Sequence, residues 1–298
     1  MGLVTESGEL VFEDRIRTPR ATDPEALFKV LGDLLDIGIK AAAGRGHLVV
    51  CGVGSGGPMT LGGATISPLN IPAWRAFPLR PRLQELLSGF EATKEAPVFV
   101  DNDAKALALA EGWQGAARGE RNFIAMVVST GVGGGIVLDG RLLDGASGNA
   151  GHIGHLIVEP DGALCRCGAR GCLEAEASGT GIQQLTGAPA ELAPADVVER
   201  TGRLVGRAVA SVANLLDLRL ALVGGSVALG FGLRFFIAAQ RELDASARIE
   251  HARGCRIEPV GLGTGAPLVG AAAVGWRGLA TATWSAQPVA ERPAGLPS

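Results

Sequence analysis

Between Gly148 and Glu174 lie two of the chain's four histidines and three of its five cysteines. His155, Cys165, Cys167 and Cys172 follow the spacing H-x9-C-x-C-x4-C. Three thiolates and an imidazole form a donor set for tetrahedral Zn2+. Gly162, Gly168 and Gly171 supply the tight turns that bring three sulfurs onto one ion. With four protein ligands and no open position, the expected zinc is structural and would fix its loop. Free or redox-active thiols are the other reading of the cluster.

Three other stretches carry polar or glycine patterns suited to chemistry. In "VFVDNDAKALALAEG", Asp103 falls where a strand runs into a helix. Backbone N–H groups and the helix dipole keep a carboxylate ionised there, and an N-cap is its bland alternative. "STGVGGG" (Ser129 to Gly135) is a glycine turn between strands, able to bring backbone N–H groups close to phosphate oxygens. It is not a P-loop, because no Lys-Ser or Lys-Thr follows and no helix opens there. "LVGGSVA" (Leu222 to Ala228) is a second strand-to-glycine turn.

These residues need a scaffold, and the rest of the chain reads as alternating strands and helices. Gly2 to Ile16 has a hairpin pattern around Ser-Gly, and Pro24 to Ala43 has helical spacing of Leu27, Val30, Leu31, Leu34, Leu35 and Ile39. His47 to Gly54 reads as a buried strand, Thr65 to Leu79 as a loop with three prolines, and Arg80 to Phe90 as a helix. Asn122 to Leu143 reads as three strands joined by the glycine turn and an Asp-Gly turn. A helix over Asp196 to Leu216, a strand at "LALVGGS" and a last helix opening at "PLVGAAAVGW" complete an α/β pattern. "GIVLDGRLL" (Gly135 to Leu143) weakly repeats "GLVTESGELV" (Gly2 to Val11). The second copy has a strand and glycine loop ahead of it, and the first has neither.

Composition narrows the classes. The chain has 298 residues, 47% hydrophobic and 19% charged, enough for one large or two modest domains. Net charge is −3 and no basic run reaches four residues, which argues against nucleic acid as a main partner. The opening residues lack the basic start and apolar core of a secretion signal. Leu204 to Leu233 is interrupted by Arg207, Asp217 and Arg219, so no membrane span is expected. An odd number of cysteines, three of them bunched, fits the cytoplasm and not a disulfide framework. Cys51 and Cys255 read as ordinary buried thiols. The Pro-rich stretch 286–298 reads as a disordered tail.

Taken in order, the strand–DND–helix, STGVGGG, GNAGHIGH, CRCGARGCLE, LVGGS and GTGAPLVGAAAVG motifs resemble the ROK family (repressors, open reading frames and sugar kinases) of the actin-like ATPase superfamily. The resemblance runs from about Gly2 to Gly278. It implies a two-domain, ribonuclease H-like α/β fold, divided as 1–118 and 119–285 with the zinc loop in the second part. It implies ATP-dependent phosphorylation of a sugar 6-hydroxyl, with Asp103 accepting the proton. By the same resemblance Asn70, Asn102, His152, His155 and Glu174 contact the sugar. Thr130, Gly131, Gly133 and Gly134 approach the ATP phosphates, and Gly224 and Gly225 the adenosine. Mg2+ comes with the nucleotide, and the chain pairs as a homodimer.

Two departures from the family pattern bear on that expectation. His152 stands where members usually carry Glu, as in the N-acetylmannosamine kinase branch, which leaves glucose, mannose and N-acetylmannosamine open as substrates. Family members also open with a strand and a D-x-G-G-T-K phosphate loop, whereas Met1 aligns inside the following strand. A start placed too late explains this better than truncation or gene decay, because the other motifs are intact. The segment from Gly181 to Val197 also looks short. A sugar-responsive regulator and an inactive sugar-binding protein are the rival functions.

Overall fold

The computed structural model describes residues 1–19, 23–68 and 71–285. The hairpin pattern at the start forms β1 (Gly2–Val4) and β2 (Leu10–Glu13), an antiparallel pair. Helix α1 (Pro24–Ala42) begins where its pattern predicts. The Asp23 carboxylate accepts the Glu25 N–H, and Pro24 occupies the first turn, where a missing N–H costs nothing. Strand β3 (Cys51–Ser55), helix α2 (Leu79–Ser88) and strand β4 (Val98–Asn102) follow, and β4 runs without a break into α3 (Asp103–Trp113). Strands β3 and β4 are parallel. Leu27 and Phe28 of α1, Leu83 and Leu87 of α2, Trp74, Phe77 and Val100 form one core over them.

The second half opens with β5 (Phe123–Val128), β6 (Val132–Leu138) and β7 (Arg141–Leu142). Asp139 and Gly140 both take positive φ, the type I′ turn that matches strand twist. Helices α4 (Leu173–Ala177), α5 (Gly179–Thr186) and α6 (Ala195–Leu216) precede β8 (Leu220–Gly224). Then come α7 (Ser226–Ser246), β9 (Arg256–Pro259) and α8 (Ala266–Ser285). One sheet forms in the order β7-β6-β5-β8-β9, with β5, β8 and β9 parallel. Alternate residues of its strands face two layers. Ile124, Met126 and Val223 meet Val205, Val209 and Phe235 of α6 and α7. On the other face Phe123, Ala125 and Leu222 meet Leu107 and Ala108 of α3.

Helix α3 therefore lies between the β5–β8 sheet and the β3–β4 pair, and α8 returns to pack on α3, β3 and β4. The internal repeat is visible in the pairing. Strands β1 and β2 match β6 and β7, and β3 and β4 match β8 and β9. Among the described residues nothing matches β5, so the first four strands form two separate two-stranded sheets.

Three expectations shift. The first parallel strand begins at Cys51, four residues after His47. Helix α7 and strand β9 carry no clear signal in the chain, because Gly230 and Gly232 interrupt the apolar pattern and Gly232 breaks the helix with φ +61. Cys255 is buried as expected, but Cys51 is half-buried. The expected tail, 286–298, lies outside the described residues.

Candidate active site

The β4–α3 junction aims Asp103 from the first turn of a helix. Asn102 is the N-cap, its side-chain oxygen accepting the Ala104 N–H at 3.0 Å. Such a cap is worth about 1 kcal/mol. Asp103 is thus not the cap, although one of its oxygens also accepts the Ala104 N–H, at 2.8 Å. Its carboxylate reaches solvent, yet protein crowds it. Desolvation raises its pKa above 3.8, opposed by the Ala104 hydrogen bond and by the nearby His152.

His152 lies in the GNAGHIGH loop with its ring 6.0 Å from that of His155. Desolvation and then the His155 charge lower its pKa below 6.5, while Glu174 and Asp103 pull the other way. The imidazole is therefore mostly neutral near pH 7 and offers one donor and one acceptor.

The glycine turn is shorter than its sequence pattern. Ser129, Thr130 and Gly131 make the bend, and Gly133 and Gly134 are already inside β6, paired with Val127 and Met126. Their lack of a side chain serves close packing. A Cβ at Gly133 would sit 3.2 Å from the Ala104 methyl, and one at Gly134 would sit 3.1 Å from the Gly151 carbonyl. Of the four turn residues expected near phosphates, only Thr130 and Gly131 belong to the bend. Glu174, at the start of α4, accepts the Val132 N–H at 3.0 Å. The second glycine turn comes alongside through a Ser129–Ser226 hydroxyl contact of 2.9 Å. Gly224 ends β8 and Gly225 caps α7 at φ +96, where a Cβ would overlap the Val128 carbonyl. Thr180 of α5 donates its hydroxyl to the Thr130 carbonyl at 2.9 Å. Two helix starts thus flank one turn.

His155, Cys165, Cys167 and Cys172 converge, their ligand atoms all within 4.8 Å of one another. Cys165 Sγ is 3.7 Å from His155 Nδ1, and Cys167 Sγ is 3.7 Å from Cys172 Sγ. A tetrahedral zinc with bonds of about 2.3 Å sets neighbouring sulfurs about 3.8 Å apart, so the donors fit that ion. Burial, with the neighbouring Cys167 and Cys165 sulfurs, pushes the Cys172 thiol up to about 12 in the absence of a cation. Cys165 and Ala169 close a tight knuckle through a 2.7 Å hydrogen bond, and Gly171 sits against the Glu159 carbonyl at φ +70.

Sequence reasoning missed what props this loop. Glu176 is buried and accepts the Ala163 N–H at 2.5 Å, while Arg200 of α6 donates to its other oxygen at 2.5 Å. Nothing local in the chain links residues 163, 176 and 200. Asn70, expected at the sugar, lies outside the described residues. The described candidates otherwise gather into one region. Asp103, His152 and Glu174 are close enough to shift the His152 imidazole, and Glu174 ties them to the glycine turn.

Comparison with known proteins places the chain in a family. The family model described as the ROK family matches residues 1–276. An N-acetylmannosamine kinase of Citrobacter koseri is 36% identical over 242 residues, covering 75% of this chain and 79% of that protein. A glucokinase of Halalkalibacterium halodurans is 32% identical, covering 93% and 90%. The crystal structure of a ROK hexokinase from Thermus thermophilus superposes with a TM-score of 0.78 at 31% identity, over 93% of this chain and 94% of that one. A family model matched over residues 1–276 and relatives above 30% identity over most of their length settle the assignment: this chain belongs to the ROK family.

Proposed function

We propose that the chain is an ATP-dependent sugar kinase that phosphorylates the 6-hydroxyl of a hexose or N-acetylhexosamine. The observation that carries this is the meeting of Asp103, His152 and Glu174 beside the Ser129–Gly131 turn. The relatives named as N-acetylmannosamine kinase and glucokinase support the same reaction class.

Phosphoryl transfer passes through a loose transition state, so catalysis is mostly positioning and charge stabilisation. Asp103 accepts the proton of the 6-hydroxyl as that oxygen bonds the γ-phosphorus and the bridging P–O bond to the β-phosphate breaks, releasing ADP, and a raised pKa makes Asp103 a better acceptor. Asn102 and Glu174 hold ring hydroxyls, and neutral His152 both donates and accepts where a carboxylate only accepts. Asn70 is a further sugar contact by family resemblance. Thr130 and Gly131 face the nucleotide phosphates, with Gly133 and Gly134 keeping the strand behind them thin. Gly224 and Gly225 border the adenosine, and Mg2+ arrives with the nucleotide. A zinc held by His155, Cys165, Cys167 and Cys172 is structural. Bound there, it would hold the loop bearing His155 and Glu174 to the roughly 0.5 Å that such a site needs.

The two-lobe division is 1–118 and 119–285, with α8 crossing back to the first lobe. No described helix is long and apolar enough to cross a membrane. A cytoplasmic homodimer is part of the proposal by family resemblance alone. A second reading is sugar binding without turnover.

The test is a coupled assay with ATP, Mg2+ and, separately, glucose, mannose and N-acetylmannosamine. ADP release that needs one of these sugars and vanishes in Asp103→Ala is the expected result. Sugar binding by calorimetry with no ADP release selects the second reading.

A further inference from the structure

Lys105 follows Asp103 by two residues and is almost wholly buried, its side chain 2% exposed. Its ammonium nevertheless has three oxygens in reach. They are Asp144 Oδ1 at 2.9 Å, the Gly148 carbonyl at 3.1 Å and Asp101 Oδ1 at 3.2 Å. Arg277 of α8 takes the opposite oxygens of the same two carboxylates, Asp101 Oδ2 at 3.3 Å and Asp144 Oδ2 more closely. Two cations and two anions alternate around a closed ring with no net charge.

The ring joins the two segments on which the sugar site is built. Asp101 Oδ1 also accepts the Asn102 N–H at 2.8 Å, so it orients the strand end that presents Asn102 and Asp103. Asp144 opens the loop that reaches His152 and His155, and its carbonyl accepts the Ala150 N–H at 2.9 Å. Asn149 of that loop donates to the Met59 carbonyl at 3.4 Å, so the loop also touches the segment after β3. A buried ammonium is stable only with its acceptors in place. Any shift of the loop away from β4 strips Lys105 of two of its three partners. The nucleotide turn at Ser129–Gly131 has no bond to the ring.

We propose that Lys105 is a positioning residue: its ammonium clamps the Asp144–His155 loop onto the end of β4, and so sets the grip on the sugar independently of the nucleotide. This rests on the sugar-kinase reading above. Arg277 closes the ring from outside and holds the two carboxylates at the spacing that Lys105 bridges.

The test uses the full chain with Lys105→Met and, separately, Asp144→Asn, whose carboxylate is half-exposed and whose loss the fold tolerates more easily. Kinetics are read with whichever of the three sugars the parent turns over. Hydrogen exchange of the peptide spanning residues 144–155 needs no activity. The expected result for both variants is a sugar KM raised tenfold or more, an ATP KM within twofold of the parent, and at least tenfold faster exchange in that loop. Should Lys105→Met fail to fold, Asp144→Asn decides. A sugar KM and loop exchange within twofold of the parent, or sugar and ATP KM rising together, overturns the proposal. A parent with no turnover on any sugar removes the kinase reading, while loop exchange still judges the clamp.

Discussion

Glu174 accepts the backbone N–H of Val132 at 3.0 Å, so a carboxylate expected to hold sugar hydroxyls also fastens the strand that leaves the Ser129–Gly131 turn, expected at the nucleotide phosphates. A hydrogen bond to a charged group contributes about 1.5–3 kcal/mol. Each 1.4 kcal/mol is about tenfold in an equilibrium constant. Glu174→Ala is therefore expected to raise KM for both sugar and ATP, each by roughly tenfold. Steady-state kinetics with each substrate varied in turn check this, and an unchanged ATP KM would restrict Glu174 to the sugar.

Asp103→Asn should lower kcat by about 10²–10⁴-fold, the usual contribution of a general base, with sugar affinity kept within about tenfold. The pH profile carries a second signature. Desolvation sets the folded pKa of Asp103 above 3.8, so parent activity falls on the acid side at a pH above that value, as the base becomes protonated. The sign for stability is opposite to that of a salt-bridged carboxylate. A raised pKa favours the fold below the unfolded value, and this advantage is lost as pH rises through the folded value. Asp103→Asn should then melt slightly above the parent at pH 7 and together with it near pH 3. Equal melting temperatures at pH 7 would argue that solvent screens the carboxylate fully.

Metal content is expected to be one zinc per chain. Removing it with a strong chelator should weaken sugar binding at least tenfold and lower Tm, because the loop then keeps only its backbone hydrogen bonds and the Glu176–Arg200 support. Cys172→Ser should do the same without chelator. A zinc-free chain with parental Tm and sugar affinity would contradict a structural ion.

Gly140 and Gly225 separate backbone strain from crowding. Both take positive φ, but a Cβ at Gly140 meets nothing within 4 Å, whereas one at Gly225 overlaps the Val128 carbonyl. Gly140→Ala should cost about 1–2 kcal/mol, the strain of the left-handed conformation alone. Gly225→Ala should cost more than that and also raise the ATP KM, since it displaces the start of α7. Urea unfolding of the two variants makes the comparison, and equal costs would count against the close approach.

Features set by neighbours in the chain were legible without a structure. The Asp23–Pro24 start of α1, the Asp139–Gly140 turn and the β4–α3 junction each follow from side chains a few residues apart. The four-ligand set was legible because thiols and imidazole so closely spaced have few other uses. What escaped depends on distant pairing. Arg277 meets Asp101 across 176 positions and Asp144 across 133, with no local pattern to announce either contact. Helix α7 was hidden by Gly230 and Gly232, which earn their place by context and not by propensity. The glycines of STGVGGG were read as phosphate contacts, yet Gly133 and Gly134 are small because α3 and the Gly151 backbone press on β6 from the side.

The unequal sheets have a mechanical consequence. The five strands from β7 to β9 share one unbroken ladder with helices on both faces. By contrast, β1–β2 and β3–β4 each end in edges that no described neighbour satisfies, and they hold together through α1, α2 and α8. Amides at those edges exchange through small local openings, whereas amides of β5 and β8 exchange only when the whole half comes apart. The half built on β5 and β8, which carries the Ser129–Gly131 turn, is therefore the stiffer of the two.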